Sequence, residues 1–173
     1  MRVALIAIVV AAFAPAAAAD DLTQPPPPPR PTPFDRGRFG LSGGVSAQTE
    51  FNVHYFVIGA GVAYYVIDGL SLGLSGLHEF GDGPSISELS PEVRYVAQPL
   101  VYKWPVVPYV GTFYKHLFVG DNPDVDSIGA HGGLMFVSGQ LVLGLGVAVE
   151  RQVSACTMDC VFVYPDLIIA LSL

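Results

Sequence analysis

Leu141-Val142-Leu143-Gly144-Leu145-Gly146-Val147-Ala148-Val149-Glu150-Arg151 alternates with a period of two. Leucine or valine fills every odd position through 149, and valine, glycine, alanine and a single glutamate fill the even ones. Successive side chains of a strand point to opposite faces, so this strand has one bulky apolar face and one small or polar face. Leu70-Ser71-Leu72-Gly73-Leu74-Ser75 repeats the pattern, as do Phe39-Gly40-Leu41-Ser42-Gly43-Gly44-Val45-Ser46-Ala47 and Leu167-Ile168-Ile169-Ala170-Leu171-Ser172-Leu173. A water-soluble sandwich turns its bulky face to a core and its charges to solvent. Here the second face carries glycine, alanine and serine with few charges. Hydrocarbon outside and a narrow packed lumen inside account for that inversion.

Working outward, the pattern predicts eight strands, over about 38–47, 52–66, 70–80, 88–102, 106–119, 128–137, 140–153 and 162–173. Most reach the roughly 9 to 11 residues that a tilted strand needs to span a bilayer. The breaks alternate in length. Ile67-Asp68-Gly69, Lys103-Trp104-Pro105 and Ser138-Gly139 are tight, whereas 81–87, 120–127 and 154–161 are longer and polar. Short periplasmic turns and longer external loops alternate in this way in outer-membrane barrels. The predicted fold is all-β, an eight-stranded antiparallel up-and-down transmembrane β-barrel over 38–173. Two features break the regularity. Alternation is poor from 51 to 66, and Pro99 and Pro108 inside predicted strands mark a bulge or a strand end.

Composition agrees. Of 173 residues, 51% are hydrophobic and only 13% charged, against a usual charged share of about a quarter. Eight Lys and Arg face fifteen Asp and Glu, a net charge of −7, which leaves no basic stripe to track a nucleic acid.

The N-terminus precedes this domain in two parts. Met1-Arg2, an uncharged apolar run and Ala16-Ala17-Ala18-Ala19 form a secretory signal peptide, residues 1–19, with cleavage between Ala19 and Asp20. Residues 20–37 form a proline-rich periplasmic linker that favours polyproline II and serves as a spacer arm. Cys156 and Cys160, four apart in an exported chain, read as a small disulfide loop, since a redox or zinc site needs other spacing and more ligands.

Pro108-Tyr109-Val110-Gly111, the glycine-rich alternating strands and the closing Tyr164-Pro165-Asp166-Leu167-Ile168-Ile169-Ala170-Leu171-Ser172-Leu173 resemble the small bacterial outer-membrane β-barrel domains of the OmpA-like and OmpW-like class. The resemblance covers about residues 38–173 and speaks to fold rather than activity. It implies insertion by the barrel-assembly machinery, which reads a last strand usually ending in an aromatic residue. Leu173 departs from that preference.

Parity places Glu79, Glu92, Arg94, Gln98, Tyr109, Gly111, Phe113, Lys115, His131, Glu150 and Asp166 on the lumen face. Charges enclosed in a narrow barrel must be paired, so Glu79, Glu92 and Glu150 against Arg94 and Lys115 predict a salt-bridged plug. Tyr64, Tyr65, Tyr102 and Trp104 fall at turns and predict an interfacial aromatic belt. His54, His78, His116 and His131 lie on separate strands without a metalloprotease spacing. His131 has no serine at the neighbouring same-face position, and only a cross-strand triad with Glu150 would serve catalysis. Glu50, Asp82, Glu88, Asp121, Asp124, Asp126 and Asp159 are placed in external loops. The run from 121 to 126 lacks the Gly and terminal Glu of an EF-hand and reads as solvated charge.

The expectation is a monomeric, non-enzymatic protein of the Gram-negative outer membrane with a structural or surface-interaction role. No cofactor, metal or nucleic-acid partner is expected. Its partners are outer-membrane lipid, the assembly machinery and any extracellular ligand at the loops. The alternatives are a small-solute or ion pore, a lipid-modifying outer-membrane enzyme, and a soluble periplasmic lipocalin-like binding barrel.

Overall fold

The computed structural model describes residues 31–50, 53–83, 85–120, 123–154 and 160–173, with the backbone alone at 46–50, 53 and 55. The signal peptide, the Ala19–Asp20 cleavage site and most of the linker lie outside the described residues. So do Asp121, Asp159 and Cys156.

Eight strands follow one another: β1 Phe39–Glu50, β2 Val53–Ile67, β3 Leu70–Gly81, β4 Ile86–Val96, β5 Val106–Val119, β6 Val125–Ser138, β7 Leu141–Gln152 and β8 Val161–Ser172. Each pairs antiparallel with the next, and β8 returns to β1 to close the barrel. The up-and-down eight-stranded reading therefore holds. The β2–β3, β4–β5 and β6–β7 connections gather at one end, the turn end, together with residue 31 and Leu173, and the others gather at the loop end; the expected alternation of tight and longer breaks fails twice, because the β4–β5 connection runs from 97 to 105 and the β1–β2 connection is only 51–52. At the β2–β3 turn Gly69 has φ +80, and an added Cβ would lie 2.4 Å from the Val96 carbonyl oxygen. Only glycine meets both demands.

Two predicted boundaries are corrected. The strand expected over 88–102 stops at Val96, and Gln98–Tyr102 forms a short 3₁₀ helix with proline in its first turn. Pro99 cannot donate to a ladder but fits the start of a helix, where the donor is unused. Pro108, by contrast, stays within β5 opposite Leu134, and its carbonyl accepts from Ala97 N at 3.0 Å. The acid-rich loop is shorter than expected, because β6 already begins at Val125.

The two faces divide as the alternation requires. Leu145, Leu167 and Val45 on the outer face are 67%, 69% and 68% exposed, while Ser71 and Val107 on the inner face are fully buried. Outward aromatics band the turn end, with Phe39 against Tyr64 at 4.9 Å and Tyr95, Tyr102 and Trp104 exposed nearby. Phe56 against Phe80 at 5.1 Å, with Phe118 and Phe162, bands the loop end. Tyr65 does not belong to the belt. It is buried and faces inward, because adjacent strand residues point to opposite faces and Tyr64 already takes the outer one.

The β1–β8 seam is the shortest ladder, with register pairs only from Gly40↔Ser172 to Ser42↔Ala170. Phe39 and Leu173 exchange both backbone hydrogen bonds there, while the Ser172 N–H turns to Gln140 O. Odd residues of β8 therefore aim their N–H at β1, and Pro165 supplies none.

Among the described residues, the apolar cluster inside the barrel sits at the turn end. Phe34, 1% exposed, inserts among Tyr65, Val96, Val107, Met135, Val142 and Ile168, which come from six different strands. Residues 32–38, read as the end of a spacer arm, thus pack into the barrel mouth.

Candidate functional site

Period-two alternation on five consecutive strands brings the polar side chains to one side of the lumen. β4 contributes Glu88, Glu92 and Arg94; β5 contributes Tyr109, Phe113 and Lys115. His131 comes from β6, Glu150 from β7, and Tyr164 and Asp166 from β8. Nearer the loop end, the Lys115 Nζ lies 2.9 Å from Glu150 Oε2 and 3.8 Å from Glu88 Oε2. It donates to the Tyr164 hydroxyl at 3.0 Å, and that hydroxyl donates to Glu150 Oε2 at 2.6 Å. The ammonium also lies 5.1 Å from the Tyr164 ring centroid and 5.4 Å from that of Phe113. One lysine thus binds two carboxylates and two aromatic rings.

A second cluster lies nearer the turn end. Arg94 is ion-paired to Glu92. The Asp166 carboxylate accepts from the Tyr109 hydroxyl at 2.6 Å and lies 2.9 Å from His131 Nδ1. A carboxylate only accepts, so the Nδ1 proton belongs in that bond. His131 Nε2 is 3.8 Å from Glu92 Oε2, and neither it nor Arg94 Nε has a hydrogen-bond partner among the described residues.

Glycines on neighbouring strands make room for these side chains. A Cβ on Gly111 would stand 2.2 Å from His131 Nε2, one on Gly129 2.3 Å from Phe113, and one on Gly146 2.5 Å from the Tyr109 hydroxyl. The His131 ring tip therefore abuts the β5 backbone, an arrangement for packing rather than for approaching a substrate. Gly111→Ala forces the ring off Asp166 or shifts the backbone, since Val93 O is also only 2.9 Å from the new carbon. The expected loss is about 1–3 kcal/mol, read from the urea midpoint of the folded species in lipid vesicles. Gly44→Ala is the control, because nothing lies within 4 Å of its Cβ position.

The opposite wall is smooth. Gly40, Ser42 and Gly44 of β1, Gly59 and Gly61 of β2 and Ser75 of β3 leave a cavity of about 540 Å³ against the charged wall. Pro33 and Phe34 lie at its turn end and Leu77 and Glu88 farther up.

Below the cavity, residues 32–38 are latched to the rim. Gly69 N donates to Phe34 O and Gly37 N to Tyr65 O, both at 2.8 Å, and Ser172 Oγ donates to Pro33 O at 3.2 Å. Arg36 N donates to Asp68 Oδ1 at 2.8 Å, and Gln98 Nε2 to Asp35 Oδ1 at 2.9 Å. Burial pushes the Asp35 carboxyl up, but hydrogen bonds from Thr32 and Gln98 and the charge of Arg38 outweigh it and hold the group below its usual range. A carboxyl depressed in the folded state adds stability above its unfolded pKa and loses it as pH falls through the folded value. Lowering pH from about 5 to about 3 is expected to reduce hydrogen-exchange protection over 34–38, and Asp35→Asn should abolish that pH dependence.

The structure brings together Glu92, Arg94, Tyr109, Phe113, Lys115, His131, Glu150 and Asp166 and puts Glu79, half-buried, on the lumen face of β3. Gln98 is not among them. It sits in the 3₁₀ helix and bonds Asp35 and Tyr102 at the mouth. Glu88 is corrected from an external loop to the lumen, where it faces Lys115, because β4 begins at Ile86. His131 takes Asp166, not Glu150, as its carboxylate. Asp126 lies in β6 and bonds His116 Nδ1 at 2.7 Å. Asp82 and Asp124 are exposed at connections. Sequence reasoning missed Tyr164 and Phe34; the first had a signal in its parity with Asp166, the second had none. Among the described residues no three His, Cys, Asp or Glu side chains are grouped to hold a metal.

No protein-family model matches the chain, and no curated protein matches it. Among solved structures it is similar to the N-terminal β-barrel domain of Pseudomonas aeruginosa OprF, at 12% identity and a TM-score of 0.59, over 80% of this chain and 98% of that one. It also matches the outer membrane protein OprG from Pseudomonas aeruginosa, at 15% identity and a TM-score of 0.42, over 80% of this chain and 96% of that one. The OprF likeness shows a shared β-barrel fold, which in this chain is closed by eight antiparallel strands.

Proposed function

We propose that the chain is a non-enzymatic barrel of the bacterial outer membrane, sealed at rest, with a structural or surface-interaction role. One observation carries this reading: bulky apolar side chains cover the outer face of every strand, while the inner face is filled by paired charges and by the chain's own Phe34. A hydrocarbon-facing wall and a side-chain-filled core are what a narrow eight-stranded barrel offers. In this reading the turn end is periplasmic, residues 1–19 direct export, and the loops at the other end meet any extracellular ligand. Cys156 and Cys160 close one of those loops, consistent with the absence of a free cysteine among the described residues. The protein acts as a monomer inserted by the barrel-assembly machinery. Against catalysis stands the seating of His131, whose free nitrogen faces Gly111 rather than a hydroxyl nucleophile.

Planar-bilayer recording tests the reading. The purified mature chain is expected to show no discrete conductance steps. Reproducible steps that change on substitution of Lys115 or Arg94 would establish a pore instead.

A further inference from the structure

The lumen holds more empty space than a purely structural plug requires, and the element that shuts it is not a strand. The cavity of about 540 Å³ runs from Phe34 up to Glu88 between a small-residue wall and a charged one. Its charged wall presents Glu88, Glu92 and Asp166 against Arg94 and Lys115, with the His131 imidazole among them, so carboxylates outnumber the permanent cations by one. Pore-lining carboxylates favour cations over anions. At the turn end this space meets the Phe34 ring, lodged in a socket whose residues all belong to the barrel wall. The contacts that hold residues 32–36 in place are the Phe34 side chain, single hydrogen bonds to Gly69, Asp68 and Ser172, and two from Gln98, to Thr32 and Asp35, while Gly37 and Arg38 pair with Tyr65 and mark where the wall begins. These are not part of a strand ladder, so the segment can leave while the pairings of the eight strands persist. Directly upstream, seven of the nine residues 25–33 are proline, a composition that favours a stiff extended tether over a sheet.

We propose that residues 32–36 are a releasable stopper and that the lumen above them is a latent conduit for small cations, closed at its periplasmic mouth by Phe34. Withdrawal of the ring leaves an apolar throat of Tyr65, Val96, Val107, Met135, Val142 and Ile168 opening onto the glycine-lined side of the cavity. The salt-bridged wall stays intact during this opening, so the stopper and the Lys115 cluster are separable. The inference goes beyond the sealed resting state proposed above and keeps it as its starting point.

The test compares the full mature wild type with Phe34→Ala in planar bilayers, folding of each being established by its heat-shifted gel mobility. Wild type should be silent. Phe34→Ala should show discrete steps, with a reversal potential in a KCl gradient displaced toward that of potassium. A double variant, Asp35→Ala with Gln98→Ala, keeps the ring and removes the side-chain bonds between Gln98 and the strap, weakening its latch, and it should show brief openings. Joining the strap to the rim through Arg36→Cys and Asp68→Cys should silence those openings under oxidation and restore them on reduction. If the folded variants stay as silent as wild type, the stopper is refuted while the sealed-barrel reading stands. Steps already present in wild type and unchanged by Phe34→Ala overturn both, and a chloride-directed reversal potential overturns the cation assignment.

Discussion

Phe34→Ala is expected to lower the unfolding free energy of the lipid-reconstituted barrel by about 3–5 kcal/mol, the range for truncating a fully buried phenylalanine. The ring is 1% exposed and belongs to a core cluster drawn from six strands, so its removal leaves a void that no single side-chain adjustment fills. Collapse is limited because the socket residues are fixed by backbone ladders on both sides. A control on the outer face makes the result specific. Leu145→Ala also removes a large apolar side chain, but at a residue 67% exposed, where lipid takes the vacated place and no cavity forms. Urea titration in vesicles, followed by the folded gel species, should separate the two variants by at least about 2 kcal/mol. Equal losses would mean that the Phe34 socket contributes nothing beyond its area.

Lys115→Met should have an effect of similar size through a different term. It leaves Glu150 and Glu88 facing the lumen without their shared cation, and removing one partner of a buried pair costs about 3–5 kcal/mol. Both carboxylates are largely shielded, at 10% and 18% side-chain exposure, and only the neutral hydroxyls of Tyr164 and Ser127 remain to donate to Glu150. Neutralising the stranded group should recover part of the loss. Lys115→Met combined with Glu150→Gln is expected to be more stable than Lys115→Met alone, a coupling that a double-mutant cycle reads directly. Additive losses in that cycle would show that the two side chains do not depend on each other.

The parts of this site that were legible in the sequence are those governed by strand parity. Glu92, Arg94, Lys115, His131, Glu150 and Asp166 follow from alternation within single strands, and the lumen needs only that alternation to face them inward. Where parity was ignored or a boundary misplaced, the expectation failed. Tyr64 and Tyr65 cannot share a face, and weak alternation around them hides which of the two belongs to the belt. Glu88 lies near the start of β4 and Gln98 just beyond its end. An expected strand beginning two residues late leaves Glu88 at its edge, where it reads as loop, and a 3₁₀ turn has no period-two signature to separate Gln98 from the strand before it. Phe34 stands apart. Nothing within Pro33-Phe34-Asp35 distinguishes a plug from a spacer, because its burial depends on six strands that lie later in the chain. Local composition cannot carry that information; only tertiary packing does.

Cell fractionation bears most directly on the premise that lipid, not water, surrounds Leu145, Leu167 and the rest of the outer face. The folded chain should sediment with the outer membrane, come off only with detergent, and change its gel mobility when boiled. A folded periplasmic species that stays dissolved with no amphiphile present would contradict the account at its base.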